Sequence, residues 1–169
     1  ALKQGVSHIP ADRQHMGILM QQSLLRNLIL YDYNNPKLKK GCFMNWKKEE
    51  EHAKAMVEKY NVKTPSLALH IGYLSGGNQQ KAVVARELEK NPKLLLAVHP
   101  TRGVDIGAIE FIHKEIVKAR DKGCAVLLIS TELDEVLALG DRIGVIYEGK
   151  ILGEMERKDA TVDKIGMYM

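Results

Sequence analysis

The chain has 169 residues, of which 45% are hydrophobic and 27% charged, and its formal net charge is +4. These values are typical of one globular domain with its own core, and the mild positive charge permits an anionic ligand or a membrane-proximal surface without requiring either. Only two cysteines occur, Cys42 and Cys124, which argues against a disulfide framework and for a reducing compartment such as the cytoplasm.

The first half of the chain has a mostly helical pattern. Residues 1–10 lack the apolar segment of a signal peptide, and no later stretch approaches the ~20 consecutive apolar residues of a membrane span. Because the chain does not begin with Met, we expect it to have been cut from a longer protein. Residues 49–60 carry apolar side chains at helical spacing, and a second helix is predicted over residues 79–90, closed by Asn91-Pro92.

The second half alternates between apolar runs and amphipathic stretches. In chain order we predict a strand over 94–98, a helix over 106–120, a strand over 125–129, a helix capped by the Thr131–Asp134 box, a strand over 143–147 and a return strand over 150–152. The first two strands are uniformly apolar, which indicates burial on both faces. Strands and helices in alternation predict an α/β fold with a parallel sheet and right-handed crossovers.

The stretch "LSGGNQQK", residues 74–81, has the pattern of a phosphate-facing helix start. Ser75 is suited to cap a helix that begins near Asn78, while Gly76 and Gly77 remove side chains from its end. Backbone N–H groups at the positive end of that helix are then open to a phosphate. A glycine-containing turn that merely starts a helix is the alternative, but "NPKLLLAVHPT" follows at a fixed distance and favours the phosphate-facing interpretation.

Four segments together resemble the ABC-type ATPases. "LSGGNQQK" resembles their signature motif, with an ending like that of the sugar and nucleoside importer branch. "IPADR" (9–13) is similar to the segment at the glutamine-loop position of that branch. "HPTRGVDIGAIEFIH" (99–113) resembles the stretch from the end of the Walker B strand through the D-loop, and "DRIGVIYEGKILGE" (141–154) resembles the closing strands.

This resemblance implies a particular place within a longer protein. In this branch one polypeptide carries two nucleotide-binding domains in tandem, and the chain resembles the second, beginning after its Walker A loop. The implied fold is the C-terminal part of such a domain. We expect a helical subdomain with the signature over residues 11–90, the distal part of the ATPase sheet over 91–153, and a C-terminal tail over 154–169.

Several positions depart from the pattern of family members that hydrolyse ATP. The sequence contains no G-x-x-x-x-G-K followed by Ser or Thr, the loop that wraps the β- and γ-phosphates. Val98 and His99 stand where the resemblance places Asp and Glu. Val98 cannot hold Mg²⁺, which prefers oxygen ligands. His99 is able to accept a proton, so a general base is one interpretation, but we favour a polar residue at a strand end.

Three further positions are interpreted through the same resemblance. Ala11 occupies the place of a glutamine that senses metal and water, and a methyl group does neither. Thr131 occupies the place of the switch histidine; helix capping explains it better than contact with a γ-phosphate. Asp105 ends the D-loop, where capping the next helix and contacting the opposite ATP site across a dimer are compatible roles. The chain's own ATP site is therefore interpreted as degenerate.

The implied function is that of a donor. In ABC dimers each ATP is held between the Walker loops of one domain and the signature of the other, so Ser75, Gly76, Gly77 and Asn78 would complete the partner domain's site. The intact protein would bind ATP with Mg²⁺ and drive import of a sugar or nucleoside through transmembrane permease subunits, on the cytoplasmic face of the plasma membrane. We expect the isolated chain to turn over no ATP, to bind no cofactor tightly, and to self-associate through apolar surface left by missing strands.

Other functions are weaker alternatives. An ABC-fold ATPase outside transport and a structural or regulatory module that never meets nucleotide both stay open. We predict no metal site, because the histidines are scattered without the spacing of a zinc helix. A nucleic-acid partner is not expected either, since the basic run over residues 37–48 is neutralised by Glu49, Glu50 and Glu51.

Overall fold

A computed structural model describes residues 4–32, 35–40 and 43–168, so that Cys42 lies outside the described part. The chain divides after Leu127 into two compact units, an N-terminal unit up to that residue and a C-terminal unit from Leu128. None of the helices in the described part is long and apolar enough to cross a membrane. The predicted boundaries near residues 90 and 153 stay a prediction.

The described residues form seven strands and six α-helices. The strands are β1 (Val6–Ile9), β2 (Lys39–Lys40), β3 (Phe43–Met44), β4 (Leu94–Val98), β5 (Ala125–Ile129), β6 (Arg142–Tyr147) and β7 (Lys150–Glu156). The helices are α1 (Leu24–Leu28), α2 (Trp46–Lys59), α3 (Gly76–Leu88), α4 (Ile106–Asp121), α5 (Leu133–Leu139) and α6 (Val162–Gly166). A π-helical turn, Arg13–Gly17, follows β1. The order confirms the predicted α/β class.

The main sheet has the strand order β1-β4-β5, with β1 and β4 parallel and in register from Val6 opposite Leu94 to Ile9 opposite Ala97. The prediction that both apolar strands are buried on two faces is wrong. In β4, Leu95 and Ala97 are fully buried, while on the other face Leu94 is 36% exposed and Leu96 and Val98 are half-buried, so only one face is completely covered. In β5, Leu127 is 54% exposed, because β5 is the last strand in this order and its side chains are covered incompletely.

Helix α3 is the centre of the N-terminal unit. It packs against α1, α2, α4 and β1, and every residue from Gln79 to Leu88 is buried. A helix this polar is buried only where its side chains find hydrogen-bond partners. Arg86 meets this condition: its guanidinium donates to Glu87 Oε1 at 3.0 Å, and to the backbone oxygen of Gly17 at 2.8 Å.

The C-terminal unit is built on the hairpin of β6 and β7. Glu148 and Gly149 form its two-residue turn with φ of 47° and 77°, as a type I′ turn requires, which confirms the predicted return. The prediction that β6 extends the parallel sheet is wrong: among the described residues β6 pairs with β7 alone, in a separate two-stranded sheet. The two strands are antiparallel because a two-residue turn joins them. A small apolar cluster stabilises the unit, formed by Ile143, Val145, Ala160 and Ile165.

The start of α5 differs from the predicted capping box. Its N-cap is Glu132, whose side chain makes no capping hydrogen bond, and Thr131 precedes the cap and is exposed. The Ser130 hydroxyl accepts a hydrogen bond from the Glu132 N–H at 3.1 Å, whereas the predicted box would have the Thr131 hydroxyl accept from the Asp134 N–H. Thr131 is therefore not the helix cap.

Candidate functional site

Ser75 is the N-cap of α3, as the sequence predicts, and the helix begins at Gly76. The Ser75 hydroxyl accepts the Asn78 N–H at 3.4 Å and the Asn78 side-chain amide at 2.9 Å, and the Gln79 N–H donates to the Ser75 carbonyl at 2.9 Å. Among the described residues, nothing accepts the N–H groups of Gly76 and Gly77. These two donors carry the positive end of the helix dipole.

The two glycines of this helix start lie against other parts of the same chain. A β-carbon on Gly76 would stand 2.6 Å from Arg13 Nη2 and 3.1 Å from the Gly103 oxygen. One on Gly77 would stand 2.5 Å from Asp105 Oδ2. Ser75 is exposed, whereas Gly77 is buried. Glycine is therefore needed here for close packing within the chain, in addition to any approach of a phosphate.

The polar side chains after the glycines anchor the helix. Asn78 Oδ1 accepts the Lys63 N–H at 2.7 Å. The Gln79 amide donates to two carbonyls of the preceding turn, those of Ile71 at 3.3 Å and Leu74 at 3.0 Å. The sequence used the two glutamines only as a mark of the importer branch, and assigned Asn78 to the partner domain's site as well; the structure gives each of the three side chains a contact within the chain.

Gln80 and Lys81, the next two polar residues of α3, contact the loop before α4 and α4 itself. Gln80 Nε2 donates to the Pro100 carbonyl at 2.7 Å, within the buried part of the unit. Lys81 Nζ donates to the Asn61 carbonyl at 3.3 Å and lies 4.9 Å from the centre of the Phe111 ring. Helix α3, called the signature helix below because it begins with the segment that resembles the signature motif, is thereby fixed to α4 and to residues 99–105, which the resemblance assigns to the D-loop.

Val98 and His99 stand at the end of β4, both half-buried. His99 has a φ of 46°, in the left-handed region where few residues other than glycine are found. Its carbonyl accepts the Arg102 N–H at 3.1 Å, which closes a tight turn. Within the described ranges, no three acidic, histidine or cysteine side chains are grouped to hold a metal ion.

Asp105 is the N-cap of α4, which confirms the predicted capping role. Its Oδ1 accepts the Ala108 N–H at 3.0 Å, and its Oδ2 lies against Gly77. The structure thus brings Ser75, Gly76, Gly77 and Asp105 into one cluster within the N-terminal unit. Thr131 belongs to the C-terminal unit.

Arg13 is the residue that reasoning from the sequence missed. Its Nη1 donates to the Arg102 carbonyl at 2.7 Å and its Nη2 to the Gly103 carbonyl at 3.2 Å. The preceding Ala11 lies in a bend, and Asp12 caps the π-helical turn with its carboxylate. Hydrogen bonds from His15 hold the pKa of Asp12 below its usual value. Only the "IPADR" resemblance pointed to this segment, and no local pattern pairs an arginine with carbonyls some ninety residues away.

A cavity of about 320 Å³ lies elsewhere in the unit, between α1, α2 and the end of α3. Lys90 Nζ lies 3.9 Å from the centre of the Tyr31 ring at its wall, and burial lowers the pKa of Lys90. None of the predicted site residues lines this cavity.

Comparison with curated proteins gives a consistent result. The chain is 42% identical to the nucleoside import ATP-binding protein NupA of Lactococcus lactis over 167 residues, which is 99% of this chain and 33% of that protein. It is 41% identical to the guanosine import ATP-binding protein NupO of Bacillus subtilis (98% and 32%), and 39% identical to the xylose import ATP-binding protein XylG of Thermoanaerobacter pseudethanolicus (99% and 33%). The chain spans about a third of the length of these relatives. No protein-family profile matches it.

Solved structures share the fold. The dimeric structure of MJ0796, a bacterial ABC transporter cassette, matches with a TM-score of 0.75 and 21% identity, over 92% of this chain and 64% of that one. MJ1267, an ATP-binding cassette in its ADP conformation, matches with a TM-score of 0.69 and 24% identity, over 96% and 68%. These matches confirm the fold of part of an ABC-type nucleotide-binding domain, and the relatives confirm the resemblance to the sugar and nucleoside importer branch.

Proposed function

We propose, from the fold of an ABC-type nucleotide-binding domain and the similarity to importer ATP-binding proteins, that this chain supplies the signature motif to an ATP held by a partner domain. The observation that carries the proposal is the start of α3. There Ser75 is exposed at the cap, and the N–H groups of Gly76 and Gly77 have no acceptor among the described residues.

The chemistry at this end is electrostatic. In phosphoryl transfer, catalysis comes mainly from positioning and from stabilising charge on the transferred group. The helix dipole, the two free N–H groups and the Ser75 hydroxyl would act on the γ-phosphate. The Arg13 guanidinium beside Gly76 adds positive charge at the same end. The chain makes no bond to phosphorus in this role.

The chain's own catalytic positions support a one-sided role. Val98 offers no ligand to Mg²⁺, and the half-buried His99 stands at the start of a tight turn closed by its carbonyl. In the part of the chain that the structure describes, no three acidic, histidine or cysteine side chains are grouped to hold a metal ion. When ATP and Mg²⁺ are bound to the intact protein, the metal would neutralise charge on the β- and γ-phosphates of the partner's site. The residues of this chain would position that phosphate from the opposite side.

The names of the relatives favour import of nucleosides or sugars as the process that ATP turnover drives. We propose that the whole protein is the ATP-binding subunit of such an importer, pairs with a second nucleotide-binding domain, and lies at the cytoplasmic face of the membrane through permease subunits. The dimeric ABC cassette among the similar structures supports the pairing.

The test is Ser75→Arg in the full-length protein, assembled with its permease. A side chain that fills the helix end should lower ATP turnover on the order of 10²-fold, the usual effect of losing a donor to a developing charge. Thr161→Arg is the matched control, because Thr161 is also an exposed N-cap, that of α6, and carries no signature. Wild-type turnover in Ser75→Arg, in a folded protein, would refute the donor role.

A further inference from the structure

We propose that Arg13 is a positioning residue that holds the D-loop in register with the signature helix. The inference rests on the proposed function, since it names the group that sets the geometry of the same site. It is carried by two hydrogen bonds of one guanidinium to the D-loop backbone and by the position of that guanidinium beside Gly76, the first residue of the signature helix.

The hydrogen-bond geometry requires an arginine. Nη1 donates to the Arg102 carbonyl at 2.7 Å while Nη2 donates to the Gly103 carbonyl at 3.2 Å, so a planar fork spans two successive carbonyls. Gly103 has a φ of 67°, a backbone conformation that side-chain-bearing residues rarely adopt. The two hydrogen bonds thus hold the turn at a residue whose backbone conformation favours glycine.

The same guanidinium lies beside Gly76, the first residue of the signature helix. Its Nη2 would be only 2.6 Å from a β-carbon on Gly76, so no residue with a side chain fits there without moving Arg13. Arg13 Nε is buried and has no hydrogen-bond partner among the described residues. A buried donor left unpaired is unfavourable, which indicates that the position of the group is set by its Nη contacts.

Two further contacts hold the D-loop at its two ends. Gln80 ties Pro100, at the start of the loop, to the signature helix, and Asp105, at its end, lies against Gly77. The middle of the loop is held from a separate segment, because the carbonyls of Arg102 and Gly103 accept hydrogen bonds from Arg13. The far end of that segment is held by Arg86, which donates to the Gly17 carbonyl at 2.8 Å. A displacement of residues 10–17 would therefore reach the D-loop through Arg13.

The test compares Arg13→Lys with Arg26→Lys in the full-length protein assembled with its permease. Lysine keeps the positive charge but lacks the planar pair of donors that reaches both carbonyls. Arg26 serves as the matched control, because its guanidinium lies 4.7 Å from the centre of the Trp46 ring and takes no part in the site. Two quantities are measured: amide hydrogen exchange of residues 102–108 without nucleotide, and the kcat and KM of ATP turnover.

In Arg13→Lys we expect exchange of residues 102–108 to accelerate about tenfold, with the rest of α4 unchanged, because the local opening costs less. We also expect kcat to fall about tenfold with KM within about twofold of wild type, the pattern of an interaction made only in the transition state. Arg26→Lys should change neither quantity.

Unchanged exchange over residues 102–108 would overturn the role of Arg13 whatever the activity, and so would faster exchange with an unchanged kcat. If exchange accelerated throughout the N-terminal unit, Arg13 would stabilise the whole unit rather than the D-loop, and the inference would be overturned as well. The exchange measurement needs no ATP, so it is independent of the Ser75→Arg result. Failure of the donor role and failure of the Arg13 inference are thereby separated.

Discussion

The carboxylate of Asp105 lies directly against Gly77. A β-carbon on Gly77 would stand 2.5 Å from Asp105 Oδ2 and 3.1 Å from the β-carbon of Ala108, in the first turn of α4. The signature helix and the cap of α4 are therefore packed so closely that only glycine fits between them. Within a single chain, the signature and the D-loop form one structural unit.

Gly77→Ala should destabilise the protein by about 1–3 kcal/mol, because an inserted methyl group in a packed contact forces backbone or side-chain shifts. The displaced carboxylate would also weaken the cap of α4. Chemical denaturation measures the change in the free energy of unfolding. Gly107→Ala is the control, since its β-carbon would meet nothing closer than Asp105 Oδ1 at 3.4 Å. Equal stability of the two variants would contradict the tight contact.

His99→Asn tests the two interpretations of His99, as a general base or as a polar residue at a strand end. Asparagine tolerates the left-handed backbone that His99 adopts, so the fold should be preserved. We expect ATP turnover of the full-length protein to stay within about twofold of wild type, whereas loss of a general base typically costs 10²–10⁴-fold. A drop of that size, with unchanged thermal stability, would assign His99 to catalysis.

The buried phenol of Tyr60 leads us to expect that the protein loses stability in alkaline solution. Its side chain is 2% exposed, and burial together with the nearby Glu89 carboxylate raises the pKa of the phenol. The unfolded phenol loses its proton near its usual pKa of 10.0 while the folded one keeps it. The contribution of Tyr60 to the free energy of unfolding is therefore fully present below pH 10 and is lost as the pH rises above that value.

Tyr60→Phe should remove this alkaline component. Because removal of the hydroxyl also changes the stability at neutral pH, the slope of the unfolding free energy between pH 9 and 11 is the quantity to compare. The wild-type slope should be the more negative of the two. Parallel slopes would show that Tyr60 is not the group that titrates.

The isolated chain should bind ATP weakly, because its sequence has no loop to wrap the β- and γ-phosphates. Titration with a fluorescent ATP analogue should give no saturation at micromolar concentrations, and phosphate release should equal that of a blank. Saturable micromolar binding would mean that other residues of this chain hold a nucleotide. The Ser75→Arg variant then serves to locate it.

Self-association of the isolated chain should depend on β5. Leu127 and Ile129 are 54% and 44% exposed on the last strand of the order β1-β4-β5, and such strands pair readily with other chains. The Leu127→Lys variant should lower the association constant about tenfold in sedimentation equilibrium, because a charge on an edge strand opposes pairing. Tyr73→Lys, at a residue 78% exposed and outside any strand, controls for added charge. An equal effect of both variants would exclude β5.

The local pattern of the sequence predicted most of the elements. Periodicity indicated α2, α3 and α4 to within three residues at each start, and the Glu148-Gly149 pair indicated the hairpin turn. It predicted the caps at Ser75 and Asp105 because a cap joins groups two or three residues apart. It was wrong on the burial of β5, since an apolar run does not reveal which strand lies last in the sheet.

The sequence by itself determined the α/β fold class and the helix caps at Ser75 and Asp105, because these depend on residue type and short spacing. The tertiary structure alone decided which groups meet: Arg13 with the carbonyls of Arg102 and Gly103, Gln80 with Pro100, and Asp105 with Gly77. Those contacts join segments 20 to 90 residues apart, and hydrogen bonds of about 3 Å form only after the helices have packed.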